Sequence, residues 1–291
     1  MGLAYPRRSG LRGEKLFRHL HQTTQVDMRI VAILAVSDER FYLANCLSHL
    51  IANGLDFAIV DNGASDECAQ IIHSGRFSPF LAGYSQVPFT GAFSWEEILL
   101  AQERLLRTID ADWHLLLAPD EIMHSYVSGE TLADAITRID REGYDVVNFD
   151  EFVFLPVDGD YMPEQDGFQP LRRYYYYCPR SPNQMRAWRK ALNLSNITGA
   201  GHLLSGSEFR VASETFALRH YIFRNQAHAL YKYAKRAFSA GEVERGWHFD
   251  RVDQPTARFV FPPADELHCL TDASDREFVR DHPRKAHYWE D

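Results

Sequence analysis

The first half of the chain alternates short apolar runs with stretches whose apolar residues recur at helical spacing. Five such runs have the length of buried strands, at 28–36, 56–60, 81–87 (the weakest), 113–117 and 144–154. The stretches between them predict amphipathic helices, the first of which ends near Asn53-Gly54. This β-α order is typical of an α/β fold, a Rossmann-related and mostly parallel sheet flanked by helices.

Two of these helices carry predicted start signals. Ser65 precedes the second helix as a candidate N-cap. Ser94 and Glu97 have the spacing of a capping box at the start of the third helix.

The second half of the chain is less regular. One further helix is predicted from apolar residues at 227, 230, 231, 234, 237 and 238, which leaves Lys232, Lys235 and Arg236 on its exposed side. We predict three parts: an N-terminal arm (1–25), an α/β domain (26–250) and a C-terminal tail (251–291).

Charge and cysteine usage exclude several classes of protein. The formal net charge is −9, which argues against a nucleic-acid partner, because phosphate backbones are held by Lys and Arg. The 4 cysteines show no paired or zinc-like spacing, as expected of free thiols in a reducing compartment. No apolar run reaches the roughly 20 residues of a membrane span, and no signal peptide is recognisable. The sequence therefore predicts a cytoplasmic protein without a transmembrane segment.

Acidic residues follow two of the predicted strands. Asp61-Asn62-Gly63 comes after the second strand, and Pro119 separates Leu117 from Asp120-Glu121 after the fourth. In open α/β sheets, ligands bind outside the carboxyl ends of the strands. Taken alone, each group is better explained by a turn or a helix cap.

Three segments together resemble the family 2 glycosyltransferases, which have the GT-A fold. VAILAVSDERFYLANCLSHLIANGLDFAIVDNGASDECAQII is similar to the family's opening, with Asp61 to Asp66 standing for its D-[DN]-G-S-x-D turn. WHLLLAPDEIM looks like the W-x-x-x-x-D-x-D-E strand, and RHYIFRNQAHALYKYAKRAF is similar to the H-Y-x-x-R-S-x-E-Q-x-x-x-K segment of one branch. The resemblance covers roughly residues 28 to 240.

The resemblance implies transfer of a sugar from a UDP- or GDP-linked donor to a hydroxyl of a carbohydrate or another acceptor. It also implies a divalent cofactor, Mn²⁺ or Mg²⁺, with Asp120, His220 and His202 as candidate ligands. Ala118 replaces the first carboxylate of the family's DXD motif, so metal binding would be weaker or would depend on other ligands.

The remaining candidates follow from the same chemistry. The nucleotide-sugar would contact Asp38, Asp61, Asn62 and Gly63, and Arg189, Lys190, Arg224 or Lys232 would balance the charge of the leaving diphosphate. For each basic residue alone, a solvated surface is the simpler explanation. If the transfer inverts the anomeric centre, Asp150 or Glu151 is the preferred general base, ahead of Asp166.

Rival functions fit less well. The first strand is followed by VSDERF rather than G-x-G-x-x-G, and no P-loop motif occurs, so nicotinamide and P-loop chemistry are unsupported. A nucleotidyltransferase would share the fold and the acidic residues. A non-catalytic nucleotide- or sugar-binding module is favoured by the degenerate DXD motif.

Overall fold

The computed structural model describes residues 28–159, 168, 171–232, 236–247 and 260–290. The predicted N-terminal arm, the candidate base Asp166 and the first part of the predicted tail lie outside the described residues.

The first half of the chain folds in the predicted order, with one additional strand, β5. Its elements are β1 (Ile30–Val36), α1 (Arg40–Ala52), β2 (Asp56–Asp61), α2 (Asp66–Ile72), β3 (Leu81–Gln86), α3 (Trp95–Thr108), β4 (Trp113–Leu116), β5 (Glu121–His124), α4 (Leu132–Arg141) and β6 (Val146–Phe154). The additional strand arises because the chain turns sharply after β4, where the Glu121 N–H donates to the Ala118 carbonyl at 3.0 Å.

The second half adds mainly short strands. They are β7 (Arg173–Tyr177), β8 (Met185–Arg189), β9 (Ser195–Gly199), β10 (Leu203–Ser205), β11 (Phe216–His220) and β12 (His268–Cys269), with the short helices α5 (Gln226–Leu230) and α6 (Ala240–Glu244). The predicted α/β class, with a less regular C-terminal half, is confirmed.

The sheet has a parallel block and an antiparallel extension. The block has the order β3-β2-β1-β4, and all four of its strands run in one direction. β8 pairs antiparallel with both β4 and β6, so β6 runs in the same direction as β4. β11 lies between β6 and β5, parallel to the first and antiparallel to the second. The carboxyl ends of β1, β2 and β4 therefore meet at one edge, where open α/β sheets bind ligands.

Strand β1 is buried on both faces, as its continuous apolar run predicts. Ile30, Ala32, Leu34 and Val36 belong to the apolar core that contains residues of α1, α2 and α4. The alternate residues Val31 and Ile33 pack in the second core, with residues of α3. This alternation places helices on both faces of the sheet and explains why an unbroken apolar run forms a strand here.

One predicted helix cap is confirmed and one is wrong. The Ser65 hydroxyl accepts a hydrogen bond from the Cys68 N–H, as predicted for the N-cap of α2. Ser94 makes no side-chain cap of α3. Instead, the Glu242 carboxylate of α6 accepts a hydrogen bond from the Glu96 N–H at 3.0 Å. The N-terminus of α3 is therefore capped by a residue that is distant in the sequence.

The last predicted helix is shorter than its apolar periodicity indicates. After Leu230 the α-helix gives way to a π turn at 231–232, and residues 236–238 are not helical. Tyr231, predicted to be buried, is 61% exposed. Lys232, predicted to be exposed, turns inward, and its side chain is only 15% exposed. The physical reason is a buried carboxylate that the lysine reaches, because an ion pair there outweighs the local apolar pattern.

The described C-terminal residues pack against the rest of the molecule. β12 pairs antiparallel with β7. The Arg276 guanidinium donates to the carbonyls of Ser125, Val127 and Glu130, at 2.7 to 3.2 Å. In the described part of the chain, none of the helices has the length and apolar character needed to cross a membrane.

Candidate active site

A cleft of about 850 Å³ opens at the carboxyl ends of β1, β2 and β4. Its walls come from the residues after β1, from Asn62 after β2, from 116–121 around the β4-β5 turn, and from 224–232 and 236–237 of the C-terminal half. Clefts of this size are typical of small-molecule sites.

Asp120 stands in the β4-β5 turn and is 3% exposed. Its Oδ2 lies 2.6 Å from Nζ of Lys232 and 3.8 Å from Nε2 of His220. Burial alone would raise the pKa of the Asp120 carboxyl, but these two cationic neighbours hold it well below its usual range. Asp120 is therefore an ionised, buried carboxylate paired with an ammonium group at the cleft.

His220 reaches this site because β11 places it opposite Glu121 of β5. Its Nδ1 lies 2.8 Å from Oε1 of Glu151, which β6 contributes. Burial would lower the pKa of His220, but the Asp120 and Glu151 carboxylates raise it to about 9. His220 is therefore a cation at neutral pH, held between two acids.

A buried polar network extends from Glu151. The Gln184 side chain donates to Oε2 of Glu151 at 2.6 Å, and its Oε1 accepts from Nε of Arg186 at 2.6 Å. Nδ1 of His202 lies 2.9 Å from the same Gln184 oxygen. Arg186 in turn lies 3.2 Å from Oε1 of Glu121. The network fixes the geometry behind Asp120 and His220, because each buried polar group has a partner.

The three predicted metal ligands are only partly brought together. Asp120 and His220 are neighbours, whereas His202, which also lines the cleft, contacts Gln184. Among the described residues, no group of three or more His, Cys, Asp or Glu side chains is placed to hold a metal ion.

Both oxygens of the Asp61 carboxylate accept hydrogen bonds from neighbouring residues of the protein. Its Oδ1 accepts from the Ala64 N–H at 2.7 Å, and its Oδ2 accepts from the hydroxyl of Tyr84 and from the Gln86 side chain. The carboxylate thus shapes the turn after β2 and ties it to β3, and it does not line the cleft.

Asn62 and Asp38 do line the cleft, whereas Gly63 does not. The Asn62 amide donates to the Val87 carbonyl at 3.2 Å. Gly63 has φ +75°, and a Cβ there would lie 2.8 Å from Cβ of Phe89. The glycine is therefore required by the backbone and by Phe89, rather than by a ligand.

The predicted basic residues divide into two groups. Arg224 and Lys232 line the cleft. Arg189 and Lys190 lie at the opposite edge of the sheet, because Arg189 pairs with Trp113 at the amino end of β4. The structure does not bring Arg189 and Lys190 to the site. Arg189 pairs there with two carboxylates, at 2.9 and 3.2 Å.

The two preferred general-base candidates, Asp150 and Glu151, have different surroundings. Asp150 accepts from the hydroxyls of Tyr126, Tyr176 and Thr215 and pairs with Arg280, and it does not line the cleft. Glu151, its neighbour in β6, contacts His220 from behind. Alternation along the strand separates these adjacent side chains.

Sequence reasoning missed several cleft residues. Arg186 is a charged residue inside a buried strand, which is the signal that could have identified it. Glu39, at the start of α1, also lines the cleft. Burial and then Asp120 raise the pKa of Glu39, while Lys232 opposes that rise.

No model of a protein family matches the chain. No curated protein matches it either.

Several solved structures are similar in part. Residues 1–349 of TarS from S. aureus are 17% identical, over 66% of this chain and 60% of that one, with a TM-score of 0.43. TarS 1–349 in complex with UDP is 15% identical, with the same coverages and TM-score. The mannosyltransferase PcManGT from Pyrobaculum calidifontis, in complex with GDP-Man and Mn²⁺, is 14% identical over 77% of this chain and 62% of that one, with a TM-score of 0.43. The donors and the metal named here belong to those proteins.

Proposed function

We propose that this protein is a GT-A-like glycosyltransferase that moves a sugar from a nucleotide-diphosphate donor, UDP- or GDP-linked, to an acceptor hydroxyl. The observation that carries the proposal is the buried Asp120, flanked by Lys232 and His220, in a cleft at the carboxyl ends of β1, β2 and β4. The resemblance of these segments to family 2 glycosyltransferases supports the same activity.

The cleft carries positive charges that oppose the negative charge developing in this reaction. The bond between the anomeric carbon and the diphosphate oxygen breaks, and the oxygen keeps the electron pair. The acceptor oxygen bonds to the anomeric carbon, and its proton passes to a base or to water. Lys232 and His220 would stabilise the charge that develops on the leaving diphosphate. Glu151 acts as a positioning residue, because it holds the His220 ring from behind.

A third cation of the cleft is Arg224, whose Cζ lies 3.6 Å from the centroid of the Phe41 ring. Its Nε is buried and has no hydrogen-bond partner among the described residues. A guanidinium held in this way is suited to a phosphate group.

The divalent ion expected from the sequence does not fit the donor set as arranged. Mn²⁺ and Mg²⁺ prefer several oxygen ligands. Here Asp120 and His220 are the only adjacent members of the predicted set, and Lys232 already contacts Oδ2 of Asp120. The proposed reaction is therefore written without a step that requires a metal.

Incubation with UDP- and GDP-sugars tests the activity, with release of the nucleoside diphosphate measured by chromatography. We expect release from one donor class. Asp120→Asn should lower turnover by orders of magnitude while circular dichroism shows an intact fold. Asp112→Asn is the matched control, because Asp112 lies at the amino end of β4, where it accepts from the Arg29 N–H. No release from any donor contradicts the proposal.

A non-catalytic binding module is the second candidate, and Ala118 in the DXD position favours it. Such a module would bind a nucleotide without turnover. It would also keep its affinity for the ligand when Asp120 is replaced by Asn.

A further inference from the structure

We propose that Lys232, held in place by Asp120, supplies the positive charge that a divalent metal ion would otherwise supply to the donor diphosphate. Nucleotide binding by this protein would then be independent of metal. This inference rests on the proposed function, since it concerns the same cleft.

The Lys232 ammonium is fixed and directed into the cleft. Its Nζ lies 2.6 Å from Oδ2 of Asp120 and 3.4 Å from the Ile222 carbonyl. Among the described residues these are its two hydrogen bonds, whereas a lysine ammonium has three donors. Lys232 lines the cleft, so the third N–H is available to a phosphate oxygen there.

The acids around Asp120 already have partners. Glu121 pairs with Arg186 through Oε1, and its Oε2 accepts from the Ala118 N–H at 2.7 Å. Glu151 contacts His220 and Gln184. Glu121 and Glu151 therefore cannot act as ligands without first losing buried hydrogen bonds, which is costly.

Geometry also opposes a metal on Asp120. An ion bound to Oδ2 would stand roughly 4 Å from the Lys232 ammonium, given a metal–oxygen distance of about 2.1 Å. Two cations at that separation repel each other strongly in a partly buried site. The other carboxylate oxygen, Oδ1, would offer a single donor.

Position 118 carries alanine where the family has its first carboxylate, so the site lacks one negative charge. Lys232 stands at the lysine position of the H-Y-x-x-R-S-x-E-Q-x-x-x-K segment, and it contacts the carboxylate that remains, Asp120. With one carboxylate missing and the other paired with an ammonium group, the attraction of the site for a divalent cation is reduced and its attraction for a diphosphate is kept.

Calorimetric titration of the full chain with UDP and GDP tests this inference. Each nucleotide is used in EDTA and again with MnCl₂. We expect one nucleotide to bind with a Kd that agrees within about threefold between the two conditions. Lys232→Gln should weaken that binding in EDTA by about tenfold or more, since it removes a charged hydrogen bond. Lys190→Gln is the matched control and should leave the Kd unchanged, because Lys190 lies at the opposite edge of the sheet.

A second variant separates binding from folding. Lys232→Gln leaves the buried Asp120 without its lysine partner, whereas the double variant Asp120→Asn, Lys232→Gln removes both charges of that pair. We expect the double variant to recover thermal stability but not nucleotide affinity.

Three results would overturn the inference. If the nucleotide binds only with manganese, Lys232 does not replace a metal, and the proposed function stands. If binding in EDTA is unaffected by Lys232→Gln, the charge comes from elsewhere. If neither nucleotide binds in either condition, the proposed function fails together with this inference.

Discussion

Nδ1 of His220 lies 2.8 Å from Oε1 of Glu151, so an imidazolium and a carboxylate form an ion pair in the wall of the cleft. Both side chains are largely buried, with 17% and 4% of their surfaces exposed. The pair therefore affects stability as well as any chemistry in the cleft.

The first prediction concerns stability at alkaline pH. The pKa of His220 is about 9 in the folded protein, above the 6.5 of a free histidine. Because the folded state binds this proton more tightly, the stabilisation is complete below pH 6.5 and is lost as the pH rises through 9. The loss amounts to about 3 kcal/mol. Urea unfolding between pH 6 and 9.5 measures it.

His220→Gln is the control for this slope. The variant should be less stable near pH 6 and should show a flatter decline towards pH 9.5. Identical slopes for the two proteins would mean that His220 is not the group that titrates.

The second prediction separates Asp150 from catalysis. Asp150 accepts from three hydroxyls and pairs with Arg280, away from the cleft. Asp150→Asn should therefore lower the free energy of unfolding by about 2–3 kcal/mol. At a temperature where the variant is fully folded, kcat should remain within about threefold of the parent, with the fold checked by circular dichroism. A drop of a hundredfold or more in a folded variant would instead restore Asp150 as the general base.

A third prediction compares two arginines that sequence reasoning treated alike. Arg224 lines the cleft over the Phe41 ring, whereas Arg189 pairs with Asp140 and Asp145 at the opposite edge of the sheet. Arg224→Gln should weaken nucleotide binding about tenfold or more, because a charged hydrogen bond is lost. Arg189→Gln should leave the Kd unchanged and cost about 1 kcal/mol of stability. Equal effects of the two variants on the Kd would contradict the assignment of Arg224 to the site.

The contrast between these arginines shows how far the sequence predicts the site. Apart from β5, the order of strands and helices over 28–154 follows from local periodicity, and the directions of parallel strands then place Asp120 at a ligand-binding edge. The position of Arg189 depends on β8 running antiparallel to β4, a long-range pairing that no local pattern specifies.

His220 is the converse case, a residue of the site that no local sequence pattern identifies. It meets Glu151 across 69 residues because β11 inserts between β5 and β6, and only the resemblance to a family singled it out beforehand. Lys232 was predicted to be exposed because helical periodicity does not register a buried carboxylate on another element. Such pairings depend on tertiary contacts, which override local pattern.

The last prediction concerns acid stability and a histidine remote from the cleft. His114 is 4% exposed, and its Nε2 has no hydrogen-bond partner among the described residues. Burial, and then the charge of Lys190, lower its pKa to about 4. Since the unfolded chain takes up this proton near pH 6.5, the free energy of unfolding should fall as the pH drops from 6.5 to 4, by about 3 kcal/mol.

His114→Phe should remove that part of the acid slope. The ring has room, because His114 borders a cavity of about 130 Å³ next to Trp188. Urea unfolding of parent and variant at pH 7 and at pH 4.5 measures the difference. We expect the variant to lose less stability than the parent between the two pH values. An equal loss in both proteins would show that His114 accepts its proton in the folded state, and that its burial does not oppose protonation.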